Sequence, residues 1–220
     1  MSKADEALDR VVTALGGTRR QGQHDMAIAV ESALRDSRDL VVQAGTGTGK
    51  SLAYLVPAIL RAQQGIGEHG ENRTIIATAT LALQRQLIDN DLPAAVSALG
   101  NTTTFAVSKG RHNYVCLDKF NRDATASGDD DDDNALIAKP TSALGRQAKK
   151  LRTWVGQTDS GDRDDYPHEL DPRLWRSVAV SGRECVGATK CVYGQDCFAE
   201  KARAIASASD IVVTNHALLV

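Results

Sequence analysis

The 220-residue sequence has no apolar run long enough to cross a membrane. Its amino terminus, Met1-Ser2-Lys3-Ala4-Asp5-Glu6, lacks the basic patch and apolar stretch of a secretion signal. The expected compartment is therefore the cytoplasm, with no membrane partner. A large excess of either charge is missing too. The formal net charge is −2, which by itself neither points to nucleic acid nor excludes it, because a basic groove can sit inside a neutral total. In a reducing compartment the four cysteines are poor disulfide candidates and better metal or cluster ligands. None of them forms a C-x2-C pair, the spacing that zinc sites usually use. The length leaves room for one large domain or two smaller ones, with ample core.

What the sequence does hold is one strand–loop–helix passage around which the rest is arranged. Val41-Val42-Gln43 is rich in β-branched residues and reads as a strand. Ala44-Gly45-Thr46-Gly47-Thr48-Gly49-Lys50-Ser51 is a glycine-rich turn ending in Lys-Ser, and Leu52 to Leu60 is apolar at helical spacing. This is the context a phosphate-binding loop requires. Gly45, Gly47 and Gly49 let the backbone adopt positive φ and aim its N–H groups at an anion. The helix start adds its positive dipole end. Lys50 is placed to reach the β- and γ-phosphates of ATP, and the Ser51 hydroxyl to sit on Mg²⁺. Ala44 stands where the pattern asks for glycine, a change that ordinary β dihedrals at a strand end accommodate.

Before this loop, residues 3–15 place Ala4, Leu8, Val11, Val12 and Leu15 at helical spacing and stop at Gly16-Gly17. A second amphipathic helix opens near Arg20-x-x-Gln23-x-x-Met26 and runs through Leu34. That short pattern resembles the adenine-reading element of superfamily 2 helicases. A carboxamide donates and accepts at once, which suits the N6 and N7 edge of adenine. The plain alternative is an exposed glutamine at a helix start.

After the loop, Thr74–Thr78 reads as a buried parallel strand and Ala79–Leu87 as the entry to a helix. Thr78 and Thr80 then lie on the ligand-bearing edge of an open α/β sheet and resemble the motif by which superfamily 2 helicases hold a single strand. Thr80 serves equally well as a helix cap. Thr103–Val107 reads as a third strand, giving the βαβαβ order of a mononucleotide-binding core. From Lys109 to about Ser207 the alternation stops. This stretch holds an acidic run, Asp129–Asp133, read as a solvated disordered insert. It also holds a basic helical segment with Arg146, Lys149, Lys150 and Arg152, either a phosphate track or a solvated face. The sheet resumes at Asp210–His216.

All four cysteines fall in the irregular stretch. Cys185, Cys191 and Cys197 are separated by five residues each, and Cys116 lies 69 positions before Cys185. Three close thiolates and one distant one can close a Cys₄ site, and even spacing on loose loops suits a cluster. Arg183, Lys190, Lys201 and Arg203 are neighbours able to offset a cluster's negative charge. Four ordinary free thiols are the alternative.

Several of these features occur together in one order. They are the phosphate loop, Arg20/Gln23, Thr78–Gln84, Lys109-Gly110-Arg111-x-Asn113-Tyr114-x-Cys116, the three later cysteines, and Asp210-Ile211-Val212-Val213-x-Asn215-His216-Ala217-Leu218-Leu219. In combination, from about residue 18 onward, they resemble the N-terminal part of bacterial DinG helicases, relatives of the XPD helicases. The resemblance implies an α/β P-loop (RecA-like) parallel sheet, incomplete, with an inserted Cys-rich iron–sulfur domain. The first part of the ATP-binding domain would span 1–107, the insert 108–207 and a return strand 208–220. It further implies ATP and Mg²⁺ on Ala44–Ser51 with Arg20 and Gln23, and a [4Fe–4S] cluster on Cys116, Cys185, Cys191 and Cys197. Single-stranded or forked DNA would lie on Thr78, Thr80, Lys109 and Arg111, in repair or replication. His216 is given no catalytic part.

Gln43 stands where such sequences commonly carry an acidic residue. The family's Asp-Glu-Ala-His segment is expected several residues beyond Leu219, and a second helicase domain after it, whereas the given sequence stops at Val220. Phosphoryl transfer needs the metal carboxylate, the base and the arginine finger together. The expectation for this chain is therefore weak ATP hydrolysis or none. Its competing reading is a non-catalytic module that holds nucleotide, cluster and DNA. With about 18 residues before the helicase-like part, no upstream exonuclease domain is expected. A small-molecule P-loop kinase would leave the cysteines and Thr78–Gln84 unexplained.

Overall fold

The structure is a computed structural model, and it describes residues 2–45, 47–65, 73–126 and 143–219. Thr46 and the acidic run Asp129–Asp133 lie outside the described residues. The chain divides into two compact units, Met1–Ser108 with Ala206–Val220, and Lys109–Ile205. No helix among the described residues is long and apolar enough to cross a membrane.

The first unit begins with α1 (Lys3–Ala14), α2 (Gln21–Asp36) and α3 (Lys50–Ala62). Then come β1 (Thr74–Thr78), α4 (Leu81–Gln86), a π-helical turn Leu87–Asp91, α5 (Leu92–Leu99) and β2 (Phe105–Val107). The spacing read in the sequence accounts for α1: Ala4, Leu8, Val11 and Val12 are buried, and Leu15, past the helix end, is half exposed. Leu8 and Val11 of α1 share one core with Leu55, Val56 and Ile59 of α3 and with Leu87 and Leu92. Burying each such side chain is worth about 1.5–3 kcal/mol, so this layer is what holds the helices to the sheet.

The sheet is closed by a late strand, β3 (Ile211–Asn215), which lies between β1 and β2 and is parallel to both. Ile211 stands opposite Thr74 on one side and Phe105 on the other. Residues Ile211–Thr214 are all buried, and Ile211–Val213 is the continuous apolar run of a parallel strand covered on both faces. Asp210 pins the start of this strand, because its carboxylate accepts from the Thr104 N–H and hydroxyl, each at 2.8 Å.

Three expectations need correction. Val41–Gln43 is not a strand of the sheet. Val41 is 96% exposed, and a β-branched run becomes a strand only where a neighbour takes its backbone bonds. The order is therefore not βαβαβ among the described residues: three helices precede the first strand. Finally, β1 is parallel but not buried. It is an edge strand, with Ile75 57% exposed and only Thr78 buried.

The second unit is built of helices and loops. α6 (Leu117–Ala126), α7 (Ala143–Val155), α8 (Pro172–Val178) and the start of α9 (Phe198–Ala208) surround a core of Tyr114, Leu151, Leu174, Trp175 and Phe198. Two isolated bridges, Tyr114 with Asp162 and Val115 with Ala179, tie its loops together. Gly161 has φ +58° and lies against the Phe198 ring, so any side chain there would displace the ring. On α7, Arg146, Lys149 and Lys150 are exposed.

Candidate functional site

The phosphate loop reaches α3 through Gly49, whose left-handed backbone (φ +78°) caps the helix, and Gly47 is likewise at φ +76°. Gly45 is not among the positive-φ glycines, so two of the three glycines do the turning. Ala44 is not left-handed either; Ser37 alone among the described non-glycine residues is. Alanine at the loop's first position is thus unstrained. Thr48 Oγ1 donates to the Gly45 carbonyl at 3.0 Å. The Lys50 ammonium, at the start of α3, donates to the carbonyls of Ala44 (3.1 Å) and Gly45 (2.7 Å). It spans the loop from inside, where an anion seated on the loop would meet it. Ser51 follows in the first turn of the helix, next to the N–H groups that a helix start leaves without partners.

Both members of the adenine-reading pattern meet this loop. Arg20 donates to the Gly47 carbonyl, and Gln23 Nε2 donates to the Gly49 carbonyl at 2.9 Å. Gln23 is only 5% exposed, which sets aside the reading as a solvated helix-start glutamine. The approach is so close that a Cβ on Gly49 would overlap the Gln23 carboxamide. Glycine is therefore required there for its φ and for this contact.

Behind the pair lies a polar cluster that the sequence did not announce. His24 is wholly buried with Nδ1 2.6 Å from Asp5 Oδ1, and Arg19 Nη2 donates to the same oxygen at 2.9 Å. The hydrogen bond with His24, then that from Arg19, holds the Asp5 carboxyl below the usual carboxylate range against the opposing effect of burial.

In the second unit, Cys116, Cys185, Cys191 and Cys197 are free thiols, each half-buried, and all four line one cavity. Local backbone bonds fix them. The Cys116 N–H bonds the Val178 carbonyl at 2.7 Å, and the Cys191 N–H bonds the Gly187 carbonyl at 3.1 Å. Gly187 N–H in turn donates to Cys185 Sγ at 3.4 Å. Cys116 and Cys197 each stand immediately before a helix, α6 and α9. Burial pushes the Cys116 thiol up, opposed by the N–H groups of Lys119 and Asp118.

The cation beside these thiols is not one of those expected from sequence. None of Arg183, Lys190, Lys201 and Arg203 lines the cavity, whereas Arg111 does. Its guanidinium bonds Glu200, and that bond, followed by the nearby Cys185 and Cys197, raises its pKa. Among the described residues no three His, Cys, Asp or Glu side chains are placed to hold a single metal ion.

The four residues read as DNA contacts are placed very differently from one another. Thr78 is 3% exposed, and its hydroxyl donates inward to the carbonyls of Thr80 (3.1 Å) and Thr214 (3.3 Å). Thr80 is exposed and caps α4, its Oγ1 accepting from the Leu83 N–H at 3.2 Å. Lys109 is buried between Asp162 (2.5 Å) and Asp164 (2.9 Å). Burial works against its charge, but the two carboxylates outweigh it and raise the ammonium pKa. Lys109 thus already has two carboxylate partners in its own unit. Arg111 donates through Nη2 to Glu200.

Comparison with known proteins matches these features to one family. The DEAD/DEAH box helicase profile matches residues 24–109, which include the phosphate loop, Thr78 and Thr80. The "ATP-dependent helicase DinG" of Mycobacterium tuberculosis is 49% identical over 221 residues, covering 97% of this chain and 32% of that protein. The chain belongs to the DinG helicase family.

Escherichia coli "ATP-dependent DNA helicase YoaA" is 40% identical over 200 residues, 90% of this chain and 28% of its own. The "3'-5' exonuclease DinG" of Bacillus subtilis is 30% identical over 206 residues, 93% of this chain and 20% of its own. The chain thus spans about a third or less of the length of these relatives. In this DinG-family chain the matched helicase profile starts at His24, one residue after Gln23. Asp5, Arg19, Arg20 and Gln23 all lie ahead of it. Nothing in their spacing says that a carboxylate of α1 meets the start of α2; only the packing of the two helices does.

Proposed function

We propose that this chain is the nucleotide-binding first part of an ATP-dependent DNA helicase that also carries a [4Fe–4S] cluster. The observation that carries this reading is the docking of Arg20 and Gln23 on the carbonyls of Gly47 and Gly49. A base-reading carboxamide and a phosphate loop joined in this way are what recognition of a single adenine nucleotide asks for. On binding, Lys50 exchanges two neutral carbonyls for the β- and γ-phosphates, a stronger charge-assisted pairing. Ser51 takes the accompanying Mg²⁺, and Gln23 offers its carboxamide to adenine. Thr80, exposed and with its hydroxyl proton free to donate, is the residue of the β1–α4 turn proposed to meet the backbone of single-stranded or forked DNA. The proposed setting is the cytoplasm.

Cys116, Cys185, Cys191 and Cys197 are the proposed cluster ligands. Supporting this, the four thiols share one cavity with a cation. A cube needs its thiolates at separate corners. When bound, the cluster supplies a cross-link among four loop positions and a one-electron redox centre. Arg111 offsets its negative charge, and Lys109 holds the fold of the unit that carries it.

These residues supply the phosphate cradle and Ser51, whereas turnover also draws on a metal carboxylate, a water-positioning base and an arginine finger. The second reading takes this polypeptide by itself as a module that binds nucleotide without turning it over. A fluorescent ATP analogue with Mg²⁺ and an ATPase assay with and without single-stranded DNA test both. The expected result is analogue binding that Lys50→Ala abolishes, with turnover near background. Equal binding by wild type and Lys50→Ala would overturn the nucleotide site.

A further inference from the structure

Arg20 and Gln23, which grip the loop carbonyls, are flanked in sequence by Arg19 and His24. Both flanking side chains end on one oxygen of α1, Asp5 Oδ1, at 2.9 and 2.6 Å. The arrangement matters because α2 has none of the usual devices for fixing a helix start. Its N-cap residue, Arg20, makes no side-chain capping bond, and its first turn holds no acidic residue. The orientation of that turn is set instead by bonds to other elements. Asp5 is well suited to set it, being only 6% exposed and itself anchored in the first turn of α1, where its N–H bonds Ser2 Oγ at 3.3 Å. Among the described residues the His24 ring has no second hydrogen-bond partner, Nε2 being buried without one, so the bond to Asp5 is its one polar tie.

We propose that Asp5, acting through His24 and Arg19, is a positioning residue for base recognition. It holds the first turn of α2 so that the Gln23 carboxamide faces the base of an adenine nucleotide seated on the phosphate loop. The inference rests on the nucleotide-binding reading above. It differs from simple helix packing in one consequence. A packing loss weakens every ligand of the unit together, whereas misplacing Gln23 weakens base discrimination and spares the phosphates.

The test is competition of ATP, GTP and inorganic tripolyphosphate against a fluorescent ATP analogue, on wild type, Gln23→Ala, Asp5→Asn and Arg19→Gln. Gln23→Ala and Asp5→Asn are expected to lower the preference for ATP over GTP by up to about tenfold, the worth of one good hydrogen bond, while tripolyphosphate affinity holds. Arg19→Gln, at a half-exposed surface position, is expected to fold normally and shift the preference less, in the same direction. It decides the matter if Asp5→Asn does not fold. The inference is overturned if Gln23→Ala lowers the preference while Asp5→Asn and Arg19→Gln leave it at the wild-type value, or if these two weaken all three ligands equally. If Gln23→Ala itself leaves the preference unchanged, base reading by Gln23 falls, and the inference falls with it.

Discussion

Gly49 shows how much one residue of the loop carries. It caps α3 in the left-handed region, it accepts from Gln23 through its carbonyl, and it leaves room for that carboxamide. Gly49→Ala imposes strain of about 1–3 kcal/mol for the backbone and drives a methyl group into Gln23. The variant is expected to melt at a lower temperature and to bind an ATP analogue at least tenfold more weakly, whereas Gly22→Ala, in open space at φ below zero, leaves both nearly unchanged. Equal affinity for Gly49→Ala and wild type would show that the contact is dispensable. At this scale the glycine turn into α3 was legible in the sequence, because spaced glycines before an apolar-periodic run mark such a join. The fate of Lys109 was not. A lysine reads the same on paper whether it meets solvent or two carboxylates, and Asp162 and Asp164 lie 53 and 55 positions away.

Between elements, the joint of α1 to α2 through Asp5 and His24 makes a prediction about acid. The Asp5 pKa is lowered in the folded protein, first by the His24 bond. A depressed carboxylate contributes stability that is fully present above its unfolded value of about 4 and is lost as pH falls through the folded value. The difference in melting temperature between wild type and Asp5→Asn is therefore expected to be largest near neutrality and to shrink below about pH 4. A difference that stays constant from neutral to acid pH would mean that the charge of Asp5 does not hold the joint. Helix α1 was readable from apolar spacing because it buries the stripe of Ala4, Leu8, Val11 and Val12. Val41–Gln43 was misread for the converse reason: its β-branched residues satisfy local preference, but a strand also needs a neighbour, and among the described residues none is paired with it. β3 could be read because a central parallel strand buries both faces and so is continuously apolar over Ile211–Val213.

For the molecule as a whole, two compact units carry the two proposed chemistries: the proposed nucleotide cradle in Met1–Ser108 with Ala206–Val220, and a four-thiol cavity in Lys109–Ile205. Cysteine spacing was enough to group the thiols but not to name the cation beside them, since Arg111 approaches Cys185 and Cys197 from far along the chain. Because this chain spans about a third of its DinG relative, what the two units accomplish together belongs to the proposal. The claim that separates it from an ordinary phosphate-loop protein is the cluster. Anaerobic purification with a visible spectrum and iron and sulfide analysis, on wild type and Cys191→Ser, tests it most directly. The account predicts a brown protein with near-equal iron and sulfide, bleached by the substitution. A colourless wild type, or one holding zinc, would contradict it.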